Sequence, residues 1–417
     1  MKSTFIRSLA QMLICVMISS SAFSLGWQQK TNFTPGNRYG AFSFSIGQKG
    51  YVGSGVIQVG TSITLVNDFW EYDPILDSWT QKATLPSTGR IGAATFVVLN
   101  AGFVTTGYNL VTHLNDNWKY DTAMNTWQAM SVFPGGNRYT CASFNVSDYG
   151  FVGMGYATSC YSDFYRYNPI SDTWTLIAPI PGTARQTAKG FSILDYGYVV
   201  GGANEAAFYN CKQLWRYDPI GDVWLQKTDY PGNGSHGLSA FVMNDEGYVG
   251  AGAFLSSGVN NVFDDFFKYD PSLDNWTSIP DFDGGIRQGT VSMTINNRGY
   301  VGLGSTLIYP QIDYKSDWWT FTDPTGIEDQ NIDENDVIAY FDSNHNLNIN
   351  LKSSLKTKTA VEVFDANGKM IRRSMFDANQ QNLKIENRNL SHGMYSYAVY
   401  LSSEKLISGK VIYLNNQ

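Results

Sequence analysis

One eight-residue motif recurs along most of this chain and constrains its fold more than any other feature. The motif Tyr-Asp-Pro-Ile-Gly-Asp-Val-Trp spans residues 217–224, and related segments lie at 72–79, 120–127, 167–174 and 269–276. Successive motif tryptophans are therefore 48, 47, 50 and 52 residues apart. Such a period is typical of a repeat architecture in which each copy forms one supersecondary unit. The Asp-Pro of most copies favours a tight turn and the flanking aromatic residues favour strands, so the motif predicts a β-hairpin.

A second repeated feature lies upstream of each hairpin. An aromatic residue opens a glycine-containing strand six times, at Tyr51, Phe103, Phe151, Tyr198, Tyr248 and Tyr300. Glycine at a fixed strand position lets a backbone or a large side chain approach closely, and we expect the occupant to be a Trp or Tyr of a neighbouring unit. A nucleotide-binding Gly-x-Gly motif needs a helix directly after it, whereas loops and strands are predicted here. The context therefore argues against nucleotide binding.

Together, the two hairpins and their period resemble kelch repeats, which form the four-stranded blades of β-propellers. The resemblance covers about residues 27–321. Segment 26–33 is similar to the strand that begins at Trp79, and segment 317–321 is similar to 68–72 but has no Trp-bearing strand after it. The two segments would complete one blade, so we expect an all-β fold with a six-bladed kelch-type propeller closed by an N-terminal strand. Kelch propellers include enzymes, peptide-binding adaptors and carbohydrate binders, so the resemblance leaves the function open.

The sequence predicts four segments: a signal peptide, a propeller domain, a linker and a C-terminal domain. Residues 1–24 combine Lys2 and Arg7 with an apolar run and a small-residue segment, which is the pattern of a secretory signal peptide. Residues 25–321 form the propeller. Residues 322–337 carry acidic residues and no Lys or Arg, which predicts a solvated linker. Residues 338–417 return to short alternating strands and predict a small C-terminal β-sandwich.

The C-terminal segment has a resemblance of its own. Residues 361–370 and 390–414 are similar to the C-terminal sorting domain of type IX secretion. This resemblance implies Sec export to the periplasm, followed by secretion or display at the outer-membrane cell surface through the type IX machinery. The alternative is an accessory β-sandwich without a sorting role.

Composition narrows the range of partners. The formal net charge is −7, which argues against a nucleic-acid partner. The apolar run of the signal peptide is too short to span a membrane, so no transmembrane segment is predicted in the mature chain. Cys141 is expected to be a buried thiol. Cys160 and Cys211 occupy nearly equivalent loops of adjacent blades and would be able to pair in an oxidising compartment if their backbones approach closely enough.

Candidate ligand-binding residues follow from positions that repeat in nearly every blade. Thirteen residues before each strand aromatic stands an arginine, replaced by Ser235 in the fifth blade: Arg38, Arg90, Arg138, Arg185 and Arg287. Four residues before each strand Tyr or Phe stands an aspartate, replaced by Gln213 in the fourth blade: Asp68, Asp116, Asp163, Asp265 and Asp317. This repetition favours a structural explanation, in which each residue bonds within its own blade or to a neighbour.

The alternative is that the arginines form part of a binding face. They share one face with the variable loops that carry Tyr108, Tyr156 and Tyr309, and arginine with aromatic rings suits an anionic or sugar-like ligand. In peptide-binding kelch proteins an arginine at this position contacts an acidic ligand, which is what the resemblance implies here. His236, next to the exceptional Ser235, completes the predicted ligand-binding set.

Signals of enzymatic activity are weak. The propeller holds two histidines, His113 and His236, and has neither a clustered metal motif nor a Gly-x-Ser-x-Gly motif. We therefore assign no catalytic residue, no metal ligand and no cofactor, and a copper site like that of galactose oxidase has no recognisable motif. Two functions stay open. The first is a secreted or surface propeller that binds a glycan or protein ligand. The second is a secreted carbohydrate-active enzyme resembling the kelch epimerase of N-acetylneuraminate, to which residues 133–138 have a weak local similarity. We expect the binding protein.

Overall fold

The computed structural model describes residues 26–413 except 60–61, 205–208, 257–258, 309–310, 323–336, 343–345, 352–358, 366–369, 378–379, 386–392 and 402–403. The predicted signal peptide, most of the predicted acidic linker and Tyr309 lie outside these residues. Within the described ranges the chain is all β and contains no helix.

The N-terminal part forms six four-stranded antiparallel sheets, numbered here one to six in chain order of their first strands. The first strands are Phe42–Ile46, Ala94–Val98, Ala142–Val146, Lys189–Ile193, Ser239–Met243 and Val291–Ile295. The second strands are Lys49–Gly53, Ala101–Thr105, Tyr149–Gly153, Tyr196–Val200, Glu246–Gly250 and Arg298–Gly302. The third strands are Phe69–Asp73, Asn117–Asp121, Phe164–Asn168, Leu214–Asp218, Phe266–Asp270 and Trp318–Thr322. The fourth strands are Ser78–Gln81, Thr126–Met130, Thr173–Ile177, Val223–Lys227, Asn275–Ile279 and, for sheet six, the N-terminal strand Gly26–Lys30.

The recurring Tyr-Asp-Pro motif builds the turn between the third and fourth strands. In sheet one, the Asp73 carboxylate accepts hydrogen bonds from the N–H groups of Ile75 and Leu76, and the Tyr72 hydroxyl donates to Asp77 at 2.7 Å. The same Asp77 carboxylate accepts the N–H of Thr31 in sheet six, at 3.0 Å. The motif therefore both closes its own hairpin and binds the preceding sheet.

The motif tryptophan repeats this link around the molecule. Each indole N–H donates to a backbone carbonyl just after the fourth strand of the preceding sheet. The donor and acceptor residues are Trp79 and Thr31, Trp127 and Ala83, Trp174 and Ser131, Trp224 and Ala178, Trp276 and Thr228, and Trp27 and Pro280. Sheet one is thus bound to sheet six in the same way as every other neighbouring pair.

Neighbouring sheets also share apolar cores, because the first, third and fifth residues of most first strands point between sheets. Sheets one and two, for example, share Phe44, Val104 and Tyr120. Sheets six and one share a core that includes Met293 and Trp79. Burial between sheets, rather than within one sheet, explains why the second strands are buried almost throughout.

The strand glycines do not receive the aromatic residues predicted for them. The first motif glycine packs against the ring that opens the third strand of its own sheet, as Gly53 does against Phe69. The second motif glycine lies close to the backbone of its own sheet. Gly55, for example, lies close to the Tyr39 carbonyl and has a left-handed φ of 91°. A neighbouring sheet's side chain instead reaches the glycine before the motif, where Phe44 covers Gly102. The prediction that a Trp or Tyr of a neighbouring unit packs against these glycines was therefore wrong. The phenylalanine of a first strand lies nearer the second strand of the adjacent sheet.

The C-terminal part holds two facing sheets. A three-stranded sheet consists of Val337–Phe341, Leu347–Leu351 and Asn382–Ile385. A four-stranded sheet consists of Met370–Phe376, Thr359–Phe364, Gly393–Leu401 and Glu404–Tyr413. Both contribute to one apolar core, which includes Ile349, Val361, Phe376 and Val399. The predicted turn at 366–368 lies outside the described residues.

Candidate functional site at the loop face

The longer loops of all six sheets leave on one side of the molecule. Because consecutive strands are antiparallel, the segment before each first strand and the loop between the second and third strands emerge at the same edge. We call this side the loop face and the opposite side, with its short turns, the turn face. The loops of sheets one, four, five and six form small hairpins: Val56–Val59 with Ser62–Leu65, Ala203–Asn204 with Tyr209–Asn210, Ala253–Ser256 with Val259–Val262, and Ser305–Ile308 with Gln311–Tyr314. Within the described residues, sheets two and three lack such a hairpin.

The five predicted arginines lie beneath this face. Their residues are only 0–1% exposed. In four sheets both Nη atoms bind the repeated aspartate of the same sheet, with Nη1 2.6 Å from Oδ1: Arg38 with Asp68, Arg90 with Asp116, Arg138 with Asp163, and Arg287 with Asp317. Each Nη1 also donates to a backbone carbonyl just after the second strand, such as that of Thr106. The arginine therefore ties together the two segments that form the loop face of its sheet.

In sheet two, Arg90 affects the ionisation of Asp116. Burial alone would raise the pKa of Asp116, but the hydrogen bonds and positive charge of Arg90 outweigh it, helped by Trp118 and Ser87. The pKa of Asp116 is consequently held below its ordinary value. The pair is a fixed, bidentate ion pair with most of its donors already occupied.

Sheets four and five depart from this pattern. In sheet four, Arg185 donates to Gln213 Oε1 at 3.0 Å and to the Cys211 sulfur. In sheet five, Ser235 stands in place of arginine, and Asp265 accepts hydrogen bonds from the backbone and side chain of Asn233. Burial raises the pKa of Asp265 despite those bonds. The two sheets therefore make one side of the loop face chemically different from the rest.

Larger neighbours fill the space that the missing arginine leaves. Leu238 stands where the other sheets have Ala41, Ala93, Cys141, Ala188 or Thr290. Tyr230 stands at the position of Phe133, and its hydroxyl is the group closest to Gly232, whereas at the equivalent Gly135 the phenylalanine ring and the guanidinium of Arg138 lie closest. The Tyr230 hydroxyl is buried and has no hydrogen-bond partner within the described residues.

An aromatic cluster lies at the surface where the loops are shortest. We define it as Tyr108, His113, Tyr139 and Tyr156, all half-buried. His113 stacks on Tyr139, with ring centroids 5.2 Å apart and planes 25° apart. Tyr108 lies 4.9 Å from His113, and Tyr156 lies 6.1 Å from Tyr139. Two of the predicted site residues, Tyr108 and Tyr156, are thus brought together with two that were not predicted.

The residue after each arginine position forms an inner rim around the centre of the loop face. The rim consists of Tyr39, Ile91, Tyr139, Gln186, His236 and Gln288, each paired through its backbone with the loop of its own sheet. The predicted His236 therefore lies on the rim, 7% exposed, with Nδ1 3.3 Å from Ser235 Oγ. Tyr39 stacks on Tyr314 at 5.7 Å.

The backbone just inside the rim is left-handed in every sheet. Four sheets use glycine there, but Thr140 and Thr187 adopt φ values of 53° and 56°. A β-branched residue is strained in this region, and such strain clusters at functional sites. Thr140 Oγ1 lies 3.1 Å from Gln186 Oε1, so the strained segment holds one rim side chain in place beside the aromatic cluster.

The rim surrounds a central cavity of about 1020 Å³. Its wall comes mainly from the second and fourth residues of the first strands, such as Ser43, Thr95, Ser143 and Ser192. Several of these hydroxyls donate to a carbonyl of the preceding first strand, including Ser43 to Ser292 at 3.2 Å. The cavity wall therefore combines small hydroxyl-bearing side chains with apolar residues such as Phe96 and Met293.

The structure also bears on the cysteines and on possible metal ligands. Cys141, Cys160 and Cys211 form no disulfide, so the predicted pairing of Cys160 with Cys211 is not formed. Burial raises the pKa of Cys141 to about 12. In the part of the chain that the structure describes, no group of three or more His, Cys, Asp or Glu is arranged to hold a metal ion.

Sequence reasoning missed the rim residue Tyr139 and its partner His113. Tyr139 directly follows Arg138, so counting one residue on from the repeated arginine would have found the rim. His113 had no such signal, because its loop differs in length from all its counterparts.

Comparisons with known proteins found a family match for the C-terminal part and a similar fold for the N-terminal part. Residues 343–413 match the family of secretion system C-terminal sorting domains. The chain is similar to the solved structure of YjhT, a kelch-type β-propeller, with a TM-score of 0.58 and 15% sequence identity over 68% of this chain and 94% of that chain. A search of curated proteins found no match.

The fold and destination follow from these matches. The N-terminal part has a β-propeller fold, and at this identity the likeness carries the fold alone. The sorting domain interacts with the type IX secretion machinery and indicates export to the periplasm, then to the cell surface or the medium. Among the described residues, no helix is long and apolar enough to cross a membrane.

Proposed function

We propose that this protein is a secreted or cell-surface propeller whose loop face binds a carbohydrate. The observation that carries the proposal is the aromatic cluster, because it breaks the repeat and leaves half-buried rings at the surface. Sugars place their C–H faces on such rings and their hydroxyls on nearby polar groups, a combination typical of binding sites with a few convergent polar side chains. Gln186 and His236, which are 4% and 7% exposed, are polar side chains of the same rim.

The proposal includes a closed ring of six blades. It is supported by the N-terminal strand, whose Trp27 pairs with Phe321 in sheet six, and by the indole bond from Trp79 to Thr31 that joins sheet one to sheet six. It also includes the predicted domains: signal peptide 1–24, propeller 25–321, linker 322–337 and sorting domain 338–417.

The five arginines enter this proposal as supports of the binding face. Four Nη–H groups of Arg90 are already bound by Asp116, Thr106 and Ser87, which leaves them no free hydrogen to offer a ligand. The charges of Arg38, Arg90, Arg138 and Arg287 are also balanced by the aspartates of their sheets. Direct contact between an arginine and the ligand stays a prediction, to be tested by the variants described in the Discussion.

The test is a glycan array with the purified chain, followed by affinity measurements on variants. Tyr156→Ala and Tyr139→Ala are expected to weaken binding of the array ligand at least about tenfold, since aromatic side chains in the centre of a site carry most of its binding energy. Tyr149→Ala is the matched control, because Tyr149 is a half-buried tyrosine of sheet three on the turn face. Equal affinity of all three variants and the wild type would place the site elsewhere.

A further inference from the structure

Sheet five keeps the oxygen acceptors that bind the repeated arginine elsewhere, although its own arginine is replaced by Ser235. In the four complete sheets, the arginine Nη1 donates to the aspartate Oδ1 and to the carbonyl of the residue just after the second strand. Asp265 and Ala251 are the counterparts of these two acceptors. Ala251 also has the same left-handed backbone, with a φ of 55°. Two acceptors are therefore retained without the cation that they bind in the other sheets.

The Asp265 carboxylate receives hydrogen bonds on one oxygen only. Asn233 donates its backbone N–H and its side-chain amide to Oδ2, at 2.7 and 3.0 Å. The Oδ1 atom is buried and has no hydrogen-bond partner within the described residues. Sheet five also lacks an indole donor, because Phe267 stands where three other sheets have a tryptophan that donates to the aspartate. A buried carboxylate oxygen without a donor is costly.

The Tyr230 hydroxyl is a second buried polar group at the same place. Tyr230 is 1% exposed, and its hydroxyl has no hydrogen-bond partner within the described residues. In sheets three and six, a guanidinium Nη2 lies beside Gly135 and Gly284, whereas at the equivalent Gly232 it is the Tyr230 hydroxyl that lies closest. Burial and then the negative charge of Asp265 raise the pKa of Tyr230. The hydroxyl therefore points to the place that a guanidinium takes in other sheets, near the Asp265 carboxylate.

The apolar replacement in sheet five takes the place of the arginine stem. Leu238 packs against Gly252 as the methylene groups of Arg90 pack against Gly107. The leucine thus restores the packing of the stem but brings neither a donor nor a positive charge to Asp265. The part of the arginine that sheet five has not replaced is the charged end.

Two further carboxylates add negative charge at this edge. Burial and then the charge of Asp281 raise the pKa of Asp264, and both also raise the pKa of Asp265 against the hydrogen bonds from Asn233. Within the described residues, none of the three aspartates forms an ion pair with a basic side chain. The three do not converge on a single point that would hold a metal ion. Asp265 is therefore the one carboxylate that would coordinate an ion here, and the other two would attract it.

We propose that the loop-face edge of sheet five binds a calcium ion through Asp265 Oδ1, the Ala251 carbonyl and the Tyr230 hydroxyl. Calcium takes roughly six to eight oxygen ligands in a flexible geometry, and carboxylates, backbone carbonyls and water all serve. The ion would join the segment before the first strand to the loop after the second strand, as the arginine does in the other sheets. The site does not depend on the proposed carbohydrate binding.

The first experiment measures the melting temperature of the full mature chain in calcium chloride and in a calcium chelator. A site with one coordinating carboxylate should be weak, with a Kd of about 0.1–1 mM, so about 10 mM calcium should raise the melting temperature by roughly 2–5 °C. Asp265→Asn should abolish this rise, and Tyr230→Phe should at least halve it. Asp245→Asn is the matched control, because Asp245 is an exposed carboxylate of the same sheet on the turn face. In the chelator, Asp265→Asn should be at least as stable as the wild type, which separates lost binding from misfolding.

A second experiment detects an ion at this site directly. Terbium replaces calcium at oxygen sites and emits when a nearby excited ring transfers energy to it, and the Trp276 ring lies 5.3 Å from the ring of Tyr230. Terbium emission excited through the indole should be displaced by calcium, absent in Asp265→Asn and retained in Asp245→Asn. A wild-type melting temperature that does not respond to calcium, an equal response of Asp265→Asn or Tyr230→Phe, or unchanged terbium emission from Asp265→Asn would each overturn the proposal.

Discussion

Removal of one guanidinium from the arginine–aspartate pairs should destabilise the propeller without unfolding it. Arg90→Met is the most informative change, because methionine fills much of the same volume and keeps an unbranched stem. The substitution deletes four hydrogen bonds: two to Asp116, one to the Thr106 carbonyl and one with Ser87. Asp116 keeps the bonds from Trp118 and Ser87, both at 2.7 Å.

The size of the effect follows from burial. Loss of one partner of a buried ion pair typically costs about 3–5 kcal/mol, because the other charge is left uncompensated. The Asp116 side chain is 30% exposed and keeps two donors, so we expect a smaller loss of about 2–4 kcal/mol in the free energy of unfolding. For a domain of this size this corresponds to a decrease of roughly 3–7 °C in melting temperature.

The loss should also depend on pH. Because Arg90 holds the pKa of Asp116 below its ordinary value of 3.8, the pair stabilises the fold fully above that value and less as the pH falls through the folded-state pKa. The difference between the wild type and Arg90→Met in urea unfolding should therefore be constant near neutral pH and shrink in acid. Tryptophan fluorescence is a suitable probe, since the indoles bridge the sheets.

Sheet five provides the control. Asp116→Asn should destabilise about as much as Arg90→Met, whereas Asp265→Asn, at the same position without an arginine, should be neutral or stabilising because burial raises the pKa of Asp265. The reasoning is refuted if Arg90→Met melts within about 2 °C of the wild type, or if the two Asp→Asn variants lose equal stability. An Arg90→Met or Arg138→Met variant that is still folded at the assay temperature yet no longer binds the array ligand would show instead that the arginines serve the ligand.

Two further predictions concern the chain ends. Deletion of residues 26–30 should lower the melting temperature strongly, because it removes an outer strand and the indole of Trp27 from the core between sheets five and six; an unchanged melting temperature would contradict ring closure. Truncation after Phe321 should leave a folded propeller in the periplasm, as cell fractionation would show, and surface display of that truncation would argue against sorting by residues 338–417.

The repeats made the framework predictable from sequence. Tyr72, Asp73 and Trp79 recur because each makes the same hydrogen bonds in every copy of the motif. Their spacing was therefore enough to predict the hairpin. The unmatched segments at 26–33 and 317–321 were enough to predict which strands pair. The repeated Arg and Asp positions predicted structural roles, but not that they bind each other, because the spacing of two loop residues does not reveal their distance in space.

The candidate site was less predictable because it depends on exceptions to the repeat. Tyr139 contacts His113 across two sheets, and no periodic signal connects a rim residue with a loop of unusual length. Tyr309 lies outside the described residues, and its predicted role is unchanged.

Pairing between Trp27 and Phe321 has a consequence for how the chain can be assembled during export. The N-terminal strand leaves the Sec channel first, but the strand that receives it lies at Trp318–Thr322 and emerges last of the propeller. Until then, one unpaired strand edge and the large indole of Trp27 stay exposed, and both favour aggregation. Completion of the ring is therefore a late, non-local step, slowed by the entropy of closing a loop of almost the whole domain. A circular permutant that begins at Asp148 and joins residue 321 to residue 27 through a short linker would make this pairing a local hairpin. It would also separate the strands Ala142–Val146 and Tyr149–Gly153 to opposite chain ends, so the late, non-local step should move from sheet six to sheet three.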